Sequence, residues 1–187
     1  MNFWELLMIG VGLSMDAFAV SICKGLSLET VKPRHALAAG VWFGGFQALM
    51  PLLGWLLGIR FQALISGVDH WIAFLLLSFL GGNMLWEARK GEACKRMDTS
   101  FGIRVMVPLA LATSIDALAV GVTFAFLRVS IFPAITVIGL TTFFIAAAGT
   151  GLGSLFGNRV QSKAELLGGA VLMVMGIKIL VQHLFFQ

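Results

Sequence analysis

Charged residues are scarce in this sequence. Asp, Glu, Lys and Arg make up 12 % of its 187 residues, against 59 % hydrophobic ones, and the mean hydropathy is +0.96. A soluble domain carries about 25 % charged and about 45–50 % apolar residues. A chain of this length cannot hide so much apolar surface in one aqueous core, so lipid must solvate most of its exterior. The few charges sum to +4. In a membrane protein an excess of Lys and Arg reports topology before it reports nucleic acid, and no nucleic-acid partner is expected.

Other shortages narrow the reading further. The only cysteines, Cys23 and Cys94, have no ligand-type spacing, which gives neither a zinc pattern nor a disulfide framework. The glycine-rich stretches hold no GxGxxG or Walker pattern, and no nucleophile–base pair is evident, so neither an enzyme nor a bound cofactor is expected. No Lys or Arg precedes Lys24. The first apolar run therefore lacks the basic flank of a cleaved signal peptide, although Ala17-Phe18-Ala19 resembles a cleavage site, and it reads as a retained helix.

What is present in abundance is apolar runs. Spanning a hydrocarbon core of roughly 30 Å takes about 20 residues. Six runs predict an all-α integral membrane protein with helices near Phe3–Cys23, Ala36–Ile59, Trp71–Ala88, Val105–Leu127, Ile131–Phe156 and Ala164–Phe185. The loops after the first, third and fifth hold Lys24, Lys32, Arg34, Arg89, Lys90, Lys95, Arg96, Arg104, Arg159 and Lys163. The opposite side holds only Arg60 and Arg128. The positive-inside rule then places the Lys/Arg-rich loops in the cytoplasm and both termini outside.

The two halves echo one another. Ser14-Met15-Asp16-Ala17-Phe18-Ala19-Val20 reappears as Ser114-Ile115-Asp116-Ala117-Leu118-Ala119-Val120, with an offset of 100. Gly54-x-Leu56-x-Gly58 matches Gly153-x-Leu155-x-Gly157, and Leu80-Gly81-Gly82 matches Leu167-Gly168-Gly169. The chain reads as one membrane domain of two three-helix repeats, residues 1–88 and 105–187, joined by a cytoplasmic connector at 89–104. Three helices per repeat make the halves inverted, as in many secondary transporters.

Asp16 and Asp116 fall near the centres of their predicted helices. An Asp there costs roughly 2.5–3.5 kcal/mol on insertion scales, several times what one Leu or Val returns. A lone intramembrane Asp can serve as interhelical glue, but two at equivalent repeat positions point to a functional site. Small residues in the stripes Gly10, Ser14, Ala17, Ser21 and Ala110, Ser114, Ala117, Gly121 let the two helices approach closely. Two adjacent carboxylates in a low dielectric must share a proton or hold a cation. An oxygen site of this kind suits hard divalent ions such as Mg²⁺ and Mn²⁺. Ser14, Thr113 and Ser114 are candidate hydroxyl donors. Met15 is a candidate soft ligand, set against its commoner packing role. Gln47, four residues before Pro51, is a ligand or an interhelical hydrogen bonder, and Pro51 frees a carbonyl beside it. Asn83 and Glu87, candidates for the substrate pathway, share one face of the third helix, and Glu87, near its cytoplasmic end, reads as a solvated vestibule residue rather than a ligand. Lys178 is expected to snorkel outward. His35, His70 and His183 lie at helix ends and are assigned no metal. Coupling to protons and self-association are both compatible with the sequence.

The run Gly12-Leu13-Ser14-Met15-Asp16-Ala17-Phe18-Ala19, the stretch Gln47-x-x-Met50-Pro51-Leu52-x-Gly54-Trp55, His70-Trp71-Ile72-Ala73-Phe74, Leu80-Gly81-Gly82 and Ala112-Thr113-Ser114-Ile115-Asp116-Ala117 resemble the bacterial manganese efflux pumps of the MntP family, over essentially the whole chain. The resemblance implies a six-helix inner-membrane protein of the lysine-exporter superfamily that exports Mn²⁺, with the Asp motifs at Asp16 and Asp116. Some members carry Glu where this chain has Gln47. An amino-acid exporter of the same superfamily is the alternative. A thiol–disulfide carrier would need paired intramembrane cysteines, yet Cys23 corresponds to Thr123 in the second half.

Overall fold

The structure, a computed structural model, describes residues 1–28, 30–62, 75, 99–156 and 177. Its elements are α1 (Phe3–Leu26), α2 (Pro33–Gln62), α3 (Ile103–Ala112), α4 (Ile115–Phe126) and α5 (Ile131–Phe156). No strand occurs among the described residues. The predicted helices Trp71–Ala88 and Ala164–Phe185 lie outside the described residues. By length and composition, α1, α2 and α5 can each cross a membrane, and α3 with α4 form a fourth candidate span bent by 47°.

Helix ends follow local chemistry. At the start of α1 the Asn2 backbone N–H donates to Glu5 Oε2 at 3.0 Å, and the Asn2 carbonyl accepts from Glu5 and Leu6. Pro33 opens α2 where its missing N–H costs nothing. After α4, Val129 N–H donates back to Phe124 O and Arg128 N–H to Ala125 O, the two bonds of a Schellman motif. Arg128 takes the left-handed position with φ 52°, and α5 begins three residues later.

Three departures from the sequence reading stand out. The first two helices run longer than expected, to Leu26 and from Pro33 to Gln62. Lys24, expected in a loop, therefore lies in the last turn of α1, where it is wholly buried. The run Val105–Leu127 is two helices, not one, because Thr113 and Ser114 interrupt it. Cys23 is disulfide-bonded, against the absence of a disulfide framework read from spacing; a disulfide depends on Cα proximity in the fold, which spacing does not give.

The packing has an internal pattern. Along α1 and α5, Gly10 lies against Ile138 and Thr141, Phe18 against Gly149, and Ile22 against Gly153. Partners rise together, so these helices run parallel. The same holds for α2 and α4, where Gly54 meets Leu118 and Val122, and Gly58 meets Val122 and Ala125. By contrast, α2 and α5 cross antiparallel, Gly40 on Phe143 and Gly44 on Gly139. Shifting α1 by 100 and α2 by 99 residues turns one set into the other. Gly54 on Val122 becomes Gly153 on Ile22, and Gly40 on Phe143 becomes Gly139 on Gly44. At these crossings a Cβ on Gly54, Gly121 or Gly153 would collide with the facing backbone, so the absence of a side chain sets the helix spacing.

Candidate ion-binding site

The interruption between α3 and α4 is built from hydroxyl chemistry. Thr113 Oγ1 and Ser114 Oγ both donate to the Ala110 carbonyl, at 3.2 and 2.6 Å. Such local bonds compete with the helical ladder. Ala117 N–H donates to Asp116 Oδ1 at 2.7 Å, and among the described residues no backbone N–H is donated to the Thr113 carbonyl. Asp116 thus sits in the first turn of α4, where amides without intrahelical partners and the helix dipole favour negative charge.

Asp116 is only 6 % exposed, and its Oδ2 is buried with no hydrogen-bond partner. Asp16 is half-buried in mid α1. Gln47 in α2 is fully buried. Its Nε2 donates to the Leu13 carbonyl at 3.1 Å, while its Oε1 has no partner. Because α2 and α4 run parallel with Gly121 on Pro51 and Gly54 on Leu118, the turn holding Gln47 is level with the first turn of α4. Pro51 has no N–H to give the Gln47 backbone carbonyl. Two buried side-chain oxygens without partners therefore stand at one level on adjacent helices. An unpaired buried oxygen costs about 1–3 kcal/mol.

Among the described residues no cluster of three or more His, Cys, Asp and Glu side chains is arranged to hold a metal. Any ion here would have two carboxylates and otherwise neutral oxygens. Elsewhere, a groove of about 360 Å³ opens at the α2–α5 crossing beside Gly40, Gly44, Gly139 and Phe143. It is almost entirely apolar and offers nothing to a cation.

The family described as "Putative manganese efflux pump" matches residues 30–180. The chain belongs to the manganese efflux pump family. Proteins named "Putative manganese efflux pump MntP" from Acetivibrio thermocellus and Desulfitobacterium hafniense are 55 % and 54 % identical to it, over 98 % and 97 % of this chain and 93 % and 96 % of theirs. One from Campylobacter jejuni is 50 % identical over the full length of both. No solved structure matches.

Within this member of the efflux pump family, the other sequence candidates fall in different places. Ser14 Oγ donates to the Gly10 carbonyl and lies 2.8 Å from Thr142 Oγ1. Ser14 has one proton, so Thr142 is the donor to it. Ser14 and Asp16 lie about 200° apart around the helix, and Ser14 faces α5 while Asp16 does not share that face. Ser114 is fully buried beside the break, and Thr113 is 7 % exposed. Met15 packs against the apolar cluster of Leu6, Ile9, Leu13 and Met50. Asn83 and Glu87 lie outside the described residues, as do Lys178, His70 and His183. Thr142, wholly buried, escaped the sequence reading: one Thr among several in an apolar helix carries no periodic or motif signal.

Proposed function

We propose that this chain is a secondary transporter that exports Mn²⁺ from the cytoplasm, with the ion held between Asp16 and Asp116 and coordinated further by Gln47 Oε1. The observation that carries this reading is the pair of buried oxygens without a partner in the protein, Asp116 Oδ2 and Gln47 Oε1, standing at one level beside the break between α3 and α4. Mn²⁺ accepts hard oxygen ligands in six-coordinate geometry, and its two charges cancel two carboxylates. Thr113 and Ser114 spend their protons on Ala110, which leaves hydroxyl lone pairs free to face a cation. The Thr113 carbonyl belongs to the same break, and broken helices of this kind form ion sites in secondary transporters.

The transport cycle follows from the repeats. Six helices in two inverted three-helix halves supply two related arrangements, one open to each side. The exchange of α1–α5 packing for α4–α2 packing under the repeat offset supports this symmetry. The Lys/Arg-rich loops face the cytoplasm, and both termini lie outside. In the ion-free state the carboxylates share a proton, and Mn²⁺ binding displaces it. That proton can exchange against protons entering from outside, with no cofactor required.

The test is Mn²⁺ uptake into inverted vesicles, with and without a proton gradient, for the parent and for Asp16→Asn and Asp116→Asn. Parent uptake and its loss in both variants, each still inserted, is the expected result. Near-normal uptake by either variant would overturn the paired-carboxylate site, and lysine-type amino-acid flux without metal flux would overturn the substrate.

A further inference from the structure

A second polar assembly lies away from the carboxylates, where the end of α1, the start of α2 and the entry to α3 meet. Lys24 is among the largest wholly buried side chains in the described structure. Its ammonium donates to the Ser100 carbonyl at 2.6 Å and stands 4.7 Å from the centre of the Phe101 ring. The His35 imidazole stacks on Phe101, with centroids 5.2 Å apart and planes 11° from parallel. Ser100 in turn accepts the Gly102 N–H through Oγ at 3.1 Å, at the N-cap of α3. Three chain segments are thus tied by one ammonium and one aromatic ring. Between this knot and the Asp pair lies a dry layer formed by Ala17, Ala39, Phe43, Met106, Ala110 and Ala146, none of them exposed. Phe101 packs against that layer.

The geometry points to a closed gate at this end of the bundle. We propose that Lys24 and Phe101, backed by His35, latch the cytoplasmic entrance, so that an ion reaches the carboxylates only after the ammonium leaves Ser100 and the ring. The inference rests on the transport reading above for its name, but its parts are independent of the metal site. A buried cation is held by charge-assisted hydrogen bonding and by the π-face of an aromatic ring. With the ammonium and the ring in place, the closed latch is a steric barrier. A latch joining the first helices of the two halves would be broken whenever those helices separate.

The test uses the full-length protein in lipid, with Met106→Cys placing a thiol in the dry layer. Its reaction with a membrane-impermeant maleimide is followed from each side, and peptide mass spectrometry distinguishes that site from the native cysteines. With Lys24 present, labelling should be slow. Adding Lys24→Met, which keeps the length and removes the charge, should speed labelling from the Lys/Arg-rich side by roughly tenfold, as a shift toward the open state requires. Phe101→Leu, which keeps apolar bulk and removes the ring, should speed it by about threefold or more. Should Lys24→Met fail to insert, the Phe101→Leu result decides alone. Unchanged labelling in the inserted variants, or equal acceleration from both sides, overturns the latch. No metal enters this measurement, so its failure is separable from failure of the transport reading, which vesicle flux reports.

Discussion

Asp116→Asn separates the structural role of this side chain from its role as a ligand. Asp116 Oδ1 already accepts the Ala117 N–H, and Asn can keep that bond. The change falls on Oδ2, the buried atom with no partner. There Asn places an NH₂, a donor that Gln47 Oε1, also buried without a partner and level with it on α2, is able to accept. The variant therefore exchanges a buried charge and two orphan acceptors for a neutral pair able to bond. A net hydrogen bond is worth about 0.5–1.5 kcal/mol, so the metal-free variant should be at least as stable as the parent. Metal binding moves the other way. Removing one charged partner from a buried ion site costs about 3–5 kcal/mol, or roughly two to three and a half orders of magnitude in affinity. Both quantities are read in one thermal unfolding series in detergent. At a Mn²⁺ concentration of about 100 times its Kd, the parent gains roughly 2.7 kcal/mol of apparent stability, and the variant gains almost nothing. A metal-free variant that melts well below the parent would show that the carboxylate holds the fold. A variant still stabilised by Mn²⁺ to the parent's extent would remove Asp116 from the site.

Three further outcomes are expected. Mn²⁺ affinity should fall as pH drops from neutral, because protons and metal compete for the same two carboxylates and only the ionised forms bind; calorimetry showing affinity flat with pH would refute this. Gly121→Ala, whose Cβ meets the Pro51 backbone, should destabilise by about 1–3 kcal/mol or more, whereas Gly45→Ala, with nothing within 4 Å, should leave unfolding in denaturing detergent unchanged. Cysteine tags near Lys95 should react only from the cytoplasm and tags at the C-terminus only from outside, and the reverse pattern would overturn the orientation.

Much of the membrane fold was legible because hydropathy and length decide it. The span Ile131–Phe156 coincides with α5 residue for residue. The break in Val105–Leu127 was not legible, for a definite reason. Ser14 and Ser114 sit in matching motifs and both donate to the carbonyl four residues back, yet α1 stays continuous and its counterpart does not. The second copy differs by Thr113, where the first has Leu13, and by Pro108, which stands inside α3 where the first has Met8. Two adjacent hydroxyls, in place of one, therefore compete with the ladder at the Ala110 carbonyl. Lys24 was misplaced because a charge at the end of an apolar run reads as a loop residue. Burial with a carbonyl and an aromatic face is a tertiary solution that no local pattern announces. Gln47 and Asp116 were visible as residues, but their shared level depends on the parallel register of α2 and α4, set by Gly54, Gly58 and Gly121.

The two halves repeat in packing and differ in polarity, and the difference falls at the candidate site. At the repeat offset, Gln47 and Pro51 of α2 correspond to Ala146 and Thr150 of α5. In α5, Thr150 Oγ1 donates to the Ala146 carbonyl at 3.1 Å, so that carbonyl is well supplied. In α2 the corresponding carbonyl, that of Gln47, loses its donor to Pro51 and gains beside it an amide oxygen with no partner. The partner helices differ in the same sense. Asp16 rides on an unbroken, half-buried turn of α1, whereas Asp116 opens a half-helix in the buried interior. Glycine contacts that survive the exchange of halves give the bundle its two related crossings. The residues that do not survive it — Gln47, Pro51 and Pro108 — concentrate the unsatisfied oxygens on the α2–α4 side. An ion held at the proposed site would lie against α2 and α4, with Asp16 contributed from α1. Rearrangement of α1 alone would then add or remove one of the two charges while the rest of the oxygen shell stayed in place.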